Sequence, residues 1–283
     1  MLNGCAYILT VDVGNTFIRF GLFAEDSAAA QERPLATCEI TTPSSITADE
    51  ARMRLAQVMG ALAADAGMPG ALVPTAAVLS CVVPALERPW KTALSRTCTG
   101  RVLTVGPGLK TGMPVHYDDP AEIGPDRIAD AVAARAVYGS PCIVIDLGTT
   151  TNIEVIDARG TFVGGVIAPG LALGARSLSA AAARLPQVEP SAPTHVIGRN
   201  TREAMRSGVV LGEVARIDGM LDMVLAEMRA TKAAGEGDAP IVITGDDAEA
   251  LAALVGHSLT VDDALTLRGL AELYRINQKP RCA

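Results

Sequence analysis

Positive charge is in short supply. Twenty-four Lys and Arg stand against 31 Asp and Glu, a formal net charge of -7 over 283 residues. Proteins that grip the phosphate backbone of nucleic acid carry a basic face, so that class is not expected. Histidine is scarce as well, and His116, His195 and His257 lie too far apart for metal-ligand spacing. The cysteines are Cys5, Cys38, Cys81, Cys98, Cys142 and Cys282, with no pair at the spacing of a zinc knuckle or a redox motif. Reduced thiols in apolar runs such as Val78-Leu79-Ser80-Cys81-Val82-Val83 suit a cytoplasmic protein. No apolar run has the length to span a bilayer. Met1-Leu2-Asn3-Gly4-Cys5 outlines a lipoprotein cleavage site, but without the basic and apolar regions that precede one. The expectation is a cytoplasmic protein with no membrane and no nucleic-acid partner.

What is present is an internal echo. Tyr7-Ile8-Leu9-Thr10-Val11 runs into Asp12-Val13-Gly14-Asn15-Thr16, and Cys142-Ile143-Val144-Ile145 runs into Asp146-Leu147-Gly148-Thr149-Thr150. Each is a buried-strand pattern ending in a tight turn. Each is followed by two more strand segments: 17–23 and 35–41 in the first half, 152–156 and 161–167 in the second. The short connections predict antiparallel neighbours. Helices are expected over 47–67 (Thr47 and Glu50 matching a capping box), 88–98 with Pro89 in the first turn, 126–138, 201–231, 248–255 and 265–277. Strands are expected over 76–83, 101–105 and 241–244. The length suits two modest domains. Glycine and proline concentrate between Val105 and Pro120, so the boundary is drawn there, giving domains 1–117 and 118–283. The 186–193 stretch reads as a surface loop.

An Asp-x-Gly-x-Thr turn after a buried strand has a chemical use. Glycine lets the backbone fold tightly enough for N–H groups to face a phosphate. The hydroxyl and amide side chains add donors, and a carboxylate at the strand end suits Mg²⁺ held through water. Two such turns facing one another would clamp a nucleotide's phosphates. The duplication resembles the superfamily of actin, the heat-shock chaperone ATPases and the sugar kinases. It implies an α/β fold of two actin-like (ribonuclease H-like) domains, each with a mixed sheet opening in three consecutive strands and flanked by helices.

A more specific set of strings lies between and after the turns. His116-Tyr117-Asp118-Asp119-Pro120 leads to Gly124-Pro125-Asp126-Arg127. Ser80-Cys81-Val82-Val83-Pro84, Gly164-Gly165-Val166-Ile167-Ala168-Pro169-Gly170 and Ile197-Gly198-Arg199-Asn200-Thr201 fall in order around it. The ordered set resembles the type III pantothenate kinase family and spans most of the chain. The resemblance implies ATP-dependent phosphorylation of pantothenate to 4′-phosphopantothenate, the first step of coenzyme A biosynthesis. ATP would bind at Asp12, Val13, Gly14, Asn15, Thr16, Phe17, Ile18 and Arg19, and at Thr149. Asp126 would be the catalytic base, with Tyr117, Gly124, Pro125, Arg127 and Thr201 at the pantothenate site. Asp12 would hold Mg²⁺ through water, and Asp146 a monovalent cation, K⁺ or NH₄⁺. Family members are homodimers, so a homodimer is implied.

Some positions depart from the family pattern. Asp119 stands where asparagine is usual, Thr150 and Asn152 replace alanine and threonine, and Asp246 replaces a glycine. Read singly, Asp126 could serve only the positive end of its helix, and Thr201 could be only a helix cap. Two rival functions are a transcriptional accessory relative that has lost catalysis and another actin-like phosphotransferase. The full set of Asp12, Asp126, Arg127 and Asp146 argues against the first, and the Gly-Pro-Asp-Arg string against the second.

Overall fold

The computed structural model describes residues 6–25, 32–68, 72–235 and 237–278. Cys5 and Cys282, and with them the Met1–Cys5 outline, lie outside the described residues. The chain forms two compact units, Met1–Val137 with Ala264–Ala283, and Tyr138–Asp263.

The first unit opens with β1 (Tyr7–Val13), β2 (Phe17–Ala24) and β3 (Ala36–Thr41), antiparallel as expected. After α1 (Ala48–Asp65) come β4 (Ala76–Cys81), α2 (Pro84–Thr97) and β5 (Val102–Thr104). β4 and β5 join in parallel to give the order β3-β2-β1-β4-β5. Period-two alternation splits the sheet. Leu9, Val11, Val13, Ile18, Phe20, Leu22, Ala77 and Leu79 face one core, closed by Leu55, Leu62, Leu86 and Trp90 of α1 and α2. Trp90, the only tryptophan of the sequence, is fully buried there with its ring centroid 5.7 Å from that of Phe20.

The capping box of α1 forms as predicted, with Glu50 N–H donating to Thr47 Oγ1 and Thr47 N–H to Glu50 Oε2. Gly67 follows the helix at φ +64°, a conformation natural to glycine. α2 starts earlier than its sequence suggests. Pro84, directly after the strand expected over 76–83, is the first helical residue, where its fixed φ and missing N–H suit the position. Pro89 therefore lies inside the helix rather than in its first turn.

A 3₁₀ turn over Pro120–Glu122 precedes α3 (Pro125–Tyr138). The terminal helix α8 (Leu265–Ile276) packs on β1, β2 and β4. α3 meets α8 so closely that a Cβ on Gly269 would collide with the carbonyl of Ala129. This packing moves the division between units away from the expected 117/118. α8 packs on the first sheet and α3 approaches α8, and both belong to the first unit.

The second unit repeats the arrangement. β6 (Cys142–Leu147), β7 (Thr150–Ile156) and β8 (Phe162–Pro169) are antiparallel, and β9 (Ile241–Gly245) and β10 (Thr260–Val261) extend the sheet in parallel. The order β10-β9-β6-β7-β8 matches the first sheet strand for strand. Between β8 and β9 run α4 (Leu171–Ala181), α5 (Thr201–Arg206) and α6 (Gly212–Ala230); α7 (Ala248–Ala252) follows β9. The expected continuous helix over 201–231 is interrupted by a π turn at Ser207–Leu211, with Gly208 inside it and Gly212 directly after. Ile143, Ile145 and Ile243 of the sheet pack against Val214, Ile217 and Leu221 of α6 and Leu251 of α7. No described helix is long and apolar enough to cross a membrane.

Candidate active site

In the first unit a polar row crosses the sheet at the end of β1. Asp12 pairs in register with Ser80 of β4 on one side and Arg19 of β2 on the other, and Arg19 pairs with Glu39 of β3. Directly paired residues share a face, so all four project from the side opposite α1 and α2. Arg19 Nε donates to Glu39 Oε2 at 3.0 Å. The turn beyond Asp12 is held shut. Gly14 N–H donates to the Phe17 carbonyl, and Thr42, just past β3, donates its hydroxyl to Gly14 O at 2.8 Å and its N–H to Thr16 O. Asn15 and Thr16 remain exposed at the tip.

Asp126 heads α3 in the same unit. Its Oδ1 accepts the N–H of Arg127 at 2.8 Å, and a Cβ on Gly124 would occupy the space this oxygen takes. That is the steric reason for glycine two residues before the aspartate. Burial raises the Asp126 carboxyl above its ordinary range, with the Arg127 N–H and the Arg127 charge opposing. Asp12 is raised to about 6, first by burial and next by the negative charge of Asp126, while the Ser80 hydroxyl and Arg19 lower it. The two carboxylates therefore sense one another. Asp12 Oδ1 is buried without a hydrogen-bond partner among the described residues. A buried oxygen of this kind fits a divalent cation or its bound water. Arg127 is only 5% exposed, against the surface charge that an arginine in isolation would suggest.

In the second unit Asp146 ends β6 in the equivalent row, paired with Thr244 of β9 and Asn152 of β7. Its Oδ1 and the carbonyl of Leu147 press on Gly245, which sits at φ +90° and has no room for a side chain. The turn carries Thr149, with Gly148 N–H donating to Thr150 O and Gly170 N–H to Thr149 O. A Cβ on Gly170 would collide with the carbonyls of Gly148 and Thr149, so the Pro169-Gly170 string braces this turn. The departures at Thr150 and Asn152 satisfy each other, Thr150 Oγ1 donating to Asn152 Oδ1 at 3.2 Å.

Thr201 is exposed at the first position of α5. The cap is Asn200, whose side chain accepts from Glu203 N–H. Thr201 is thus relieved of the capping role considered for it. Tyr117 is half-buried in the loop before α3. Asp12, Arg19, Gly124, Asp126 and Arg127 gather in the first unit, and Asp146, Thr149 and Thr201 belong to the second. Glu39 is the polar residue of the row that the motifs did not indicate; the hairpin register of β2 and β3 is the signal that could have found it.

Two duplicated five-stranded units, each with an aspartate-headed turn at the end of its first strand, define an actin-like α/β fold of the kind used by sugar kinases. The ROK hexokinase of Thermus thermophilus is similar in fold, with a TM-score of 0.51 at 14% identity, covering 96% of this chain and 100% of that one. The ethanolamine utilization protein EutJ of Carboxydothermus hydrogenoformans aligns with a TM-score of 0.51 at 14% identity, covering 94% and 90%. Sequence narrows the class. The type III pantothenate kinase family profile matches residues 8–223. Proteins named type III pantothenate kinase from Nocardia farcinica and Koribacter versatilis are 40% and 37% identical, over 97% and 96% of this chain and 99% and 96% of theirs. The chain belongs to the type III pantothenate kinase family.

Proposed function

We propose that this chain phosphorylates pantothenate with ATP, giving 4′-phosphopantothenate and ADP, the first step of coenzyme A biosynthesis. The observation that carries the reading is the meeting of Asp126 and Asp12 in one unit, each carboxylate raised by burial. A primary hydroxyl must lose its proton as it attacks the γ-phosphorus. A partly desolvated carboxylate with raised basicity is a suitable acceptor. As the new O–P bond forms, the bond from the γ-phosphorus to the bridging oxygen breaks, ADP leaves, and the hydroxyl proton passes to Asp126.

The remaining roles follow from the same reading. Asp12 holds Mg²⁺ through water, and that ion would neutralise charge on the phosphates. Residues 12–19 of the first turn and Thr149 of the second bind ATP, with Arg19 offering guanidinium donors to a phosphate. Asp146 holds K⁺ or NH₄⁺. Tyr117, Gly124, Pro125, Arg127 and Thr201 bind pantothenate, Arg127 meeting its carboxylate. The protein works as a homodimer in the cytoplasm, with no nucleic-acid or membrane partner.

The test is turnover of purified protein on pantothenate with Mg·ATP, with and without K⁺, followed by mass detection of 4′-phosphopantothenate. Turnover that depends on the monovalent cation supports both the reaction and the Asp146 role. A folded protein inert under every cation refutes the reaction.

A further inference from the structure

The duplication sets the two turns side by side, residue for residue. Gly14 N–H donates to Phe17 O, and Gly148 N–H to Thr150 O, both at 3.0 Å. β3 ends at Thr41 opposite Phe17, and β8 ends at Pro169 opposite Thr150. The next residue in each case ties the turn. Thr42 N–H donates to Thr16 O at 2.9 Å, and Gly170 N–H to Thr149 O at 3.1 Å. The turns differ in length by one residue. Asn15 and Thr16 lie between Gly14 and Phe17, whereas Thr149 alone lies between Gly148 and Thr150.

The extra residue changes what can stand just past the third strand. In the shorter turn a Cβ at Gly170 would lie 2.2 Å from Gly148 O and 2.8 Å from Thr149 O, so only glycine fits. In the longer turn the matching position carries a half-buried threonine, whose hydroxyl donates to Gly14 O at 2.8 Å. The side chain thus fastens the very carbonyl whose counterpart, on Gly148, excludes one in the other unit. A trans peptide carries its C=O and its N–H on opposite edges. Holding the Gly14 carbonyl at Thr42 therefore turns the Asn15 N–H away from Thr42. Glycine gives that peptide wide backbone freedom, so the plane can turn once the tie is lost.

We propose that Thr42 is a positioning residue for nucleotide binding, its hydroxyl holding the Gly14–Asn15 peptide in the orientation that offers the Asn15 N–H to a phosphate of ATP. The shorter second turn is fixed by backbone bonds and close packing alone. The longer first turn needs a side chain to reach the same rigidity, and Thr42 supplies it. A preset donor spares the ligand the cost of ordering the loop. This rests on the nucleotide role of residues 12–19 proposed above.

The test has two arms on full-length protein. In the first, amide signals of residues 14–17 in ¹⁵N-labelled wild type are followed as Mg·ATP is added without pantothenate, and they are expected to move. In the second, Thr42→Ala, Thr42→Val and Thr42→Ser are compared by steady-state kinetics. Thr42→Ala and Thr42→Val both lose the hydroxyl and keep the backbone N–H bond to Thr16 O. Each is expected to raise KM for Mg·ATP about three- to tenfold, within the range that loss of one hydrogen bond spans. Saturating kcat and KM for pantothenate stay within about twofold, since chemistry and the other substrate are untouched. Thr42→Ser keeps the hydroxyl and stays within about twofold of the wild type throughout. Wild-type amides that ignore Mg·ATP overturn the nucleotide role of the first turn, and the positioning role with it. Amides that respond, with an unchanged KM for Mg·ATP in Thr42→Ala, overturn the positioning role alone. So does a Thr42→Ser variant as impaired as Thr42→Ala, or a loss spread equally over both substrates and kcat.

Discussion

The carboxylate of Asp126, at the head of α3, acts on that of Asp12, at the end of β1: its negative charge adds to burial in lifting Asp12 to about 6. Two acids far apart in sequence thus form one electrostatic unit, and their shared field makes both the chemistry and the folding pH-sensitive.

The sign for folding is unfavourable at neutral pH. A carboxyl whose pKa is higher in the folded state than in the unfolded chain is stabilising when protonated, below about 4, and that contribution is lost as pH rises through about 6. Asp12→Asn should therefore be more stable than the wild type at pH 7.5, by roughly 2–3 kcal/mol on the scale of 1.36 kcal/mol per unit. The gain should vanish near pH 4. Thermal melts of both proteins across that range, without nucleotide, measure it.

The Asp126→Asn variant should lose about two to four decades of kcat, the usual size of a general-base contribution, with KM for pantothenate changed only a few-fold. It should also move a second quantity. With the Asp126 charge removed, Asp12 ionises at lower pH, so the acid limb of nucleotide affinity shifts downward. Binding of Mg·ATP to the variant between pH 5 and 7.5 reads that shift independently of turnover.

Gly170→Ala should disturb the second turn, because the added methyl collides with two backbone carbonyls that cannot yield as a flexible side chain would. A cost of about 1–3 kcal/mol is expected, as for other overpacked sites, with a raised KM for ATP. Gly174, one turn further along α4, has open space at its Cβ position. Gly174→Ala should stabilise by up to about 1 kcal/mol through helix propensity. Melting curves and KM for ATP on the two variants separate the effects.

Thr47→Ala removes the hydroxyl that accepts from Glu50 N–H and donates to Glu50 Oε2, while the Thr47 N–H keeps its bond to Glu50, and should cost about 1 kcal/mol. Turnover per folded molecule should be unchanged, since α1 lies on the face of the sheet away from the Asp12 row. A denaturant titration beside a steady-state assay checks both statements.

Local signals were legible and long-range ones were not. The two strand-turn hairpins, the Thr47 capping box and the first turn of α3 are all specified within a few neighbouring residues, and they fold where their sequence says. The π turn at Ser207–Leu211 is invisible in a helical stretch that keeps its apolar period. α4 carries alanine and leucine on several faces and follows a glycine-proline run, so no period or cap announces it. The place of α8 in the first unit comes from its packing on β1, β2 and β4, and α3 meets it where Ala129 approaches Gly269, residues that no local pattern connects. Among the candidate residues, motif resemblance pointed to Asp12 and Asp126 but not to Glu39, whose place in the polar row comes from strand register. The burial of Arg127 was hidden for a related reason: the helix start is local, but what covers it is not.

The solitary Trp90, sealed beside Phe20 in the core of the first unit with its indole N–H unpartnered among the described residues, gives the molecule a one-sided optical voice. Excitation at the red edge of aromatic absorption reports on that unit alone, and the second unit is silent. Circular dichroism hears both. Wherever the two signals part company along a denaturation curve, the halves of this duplicated chain are coming undone in turn.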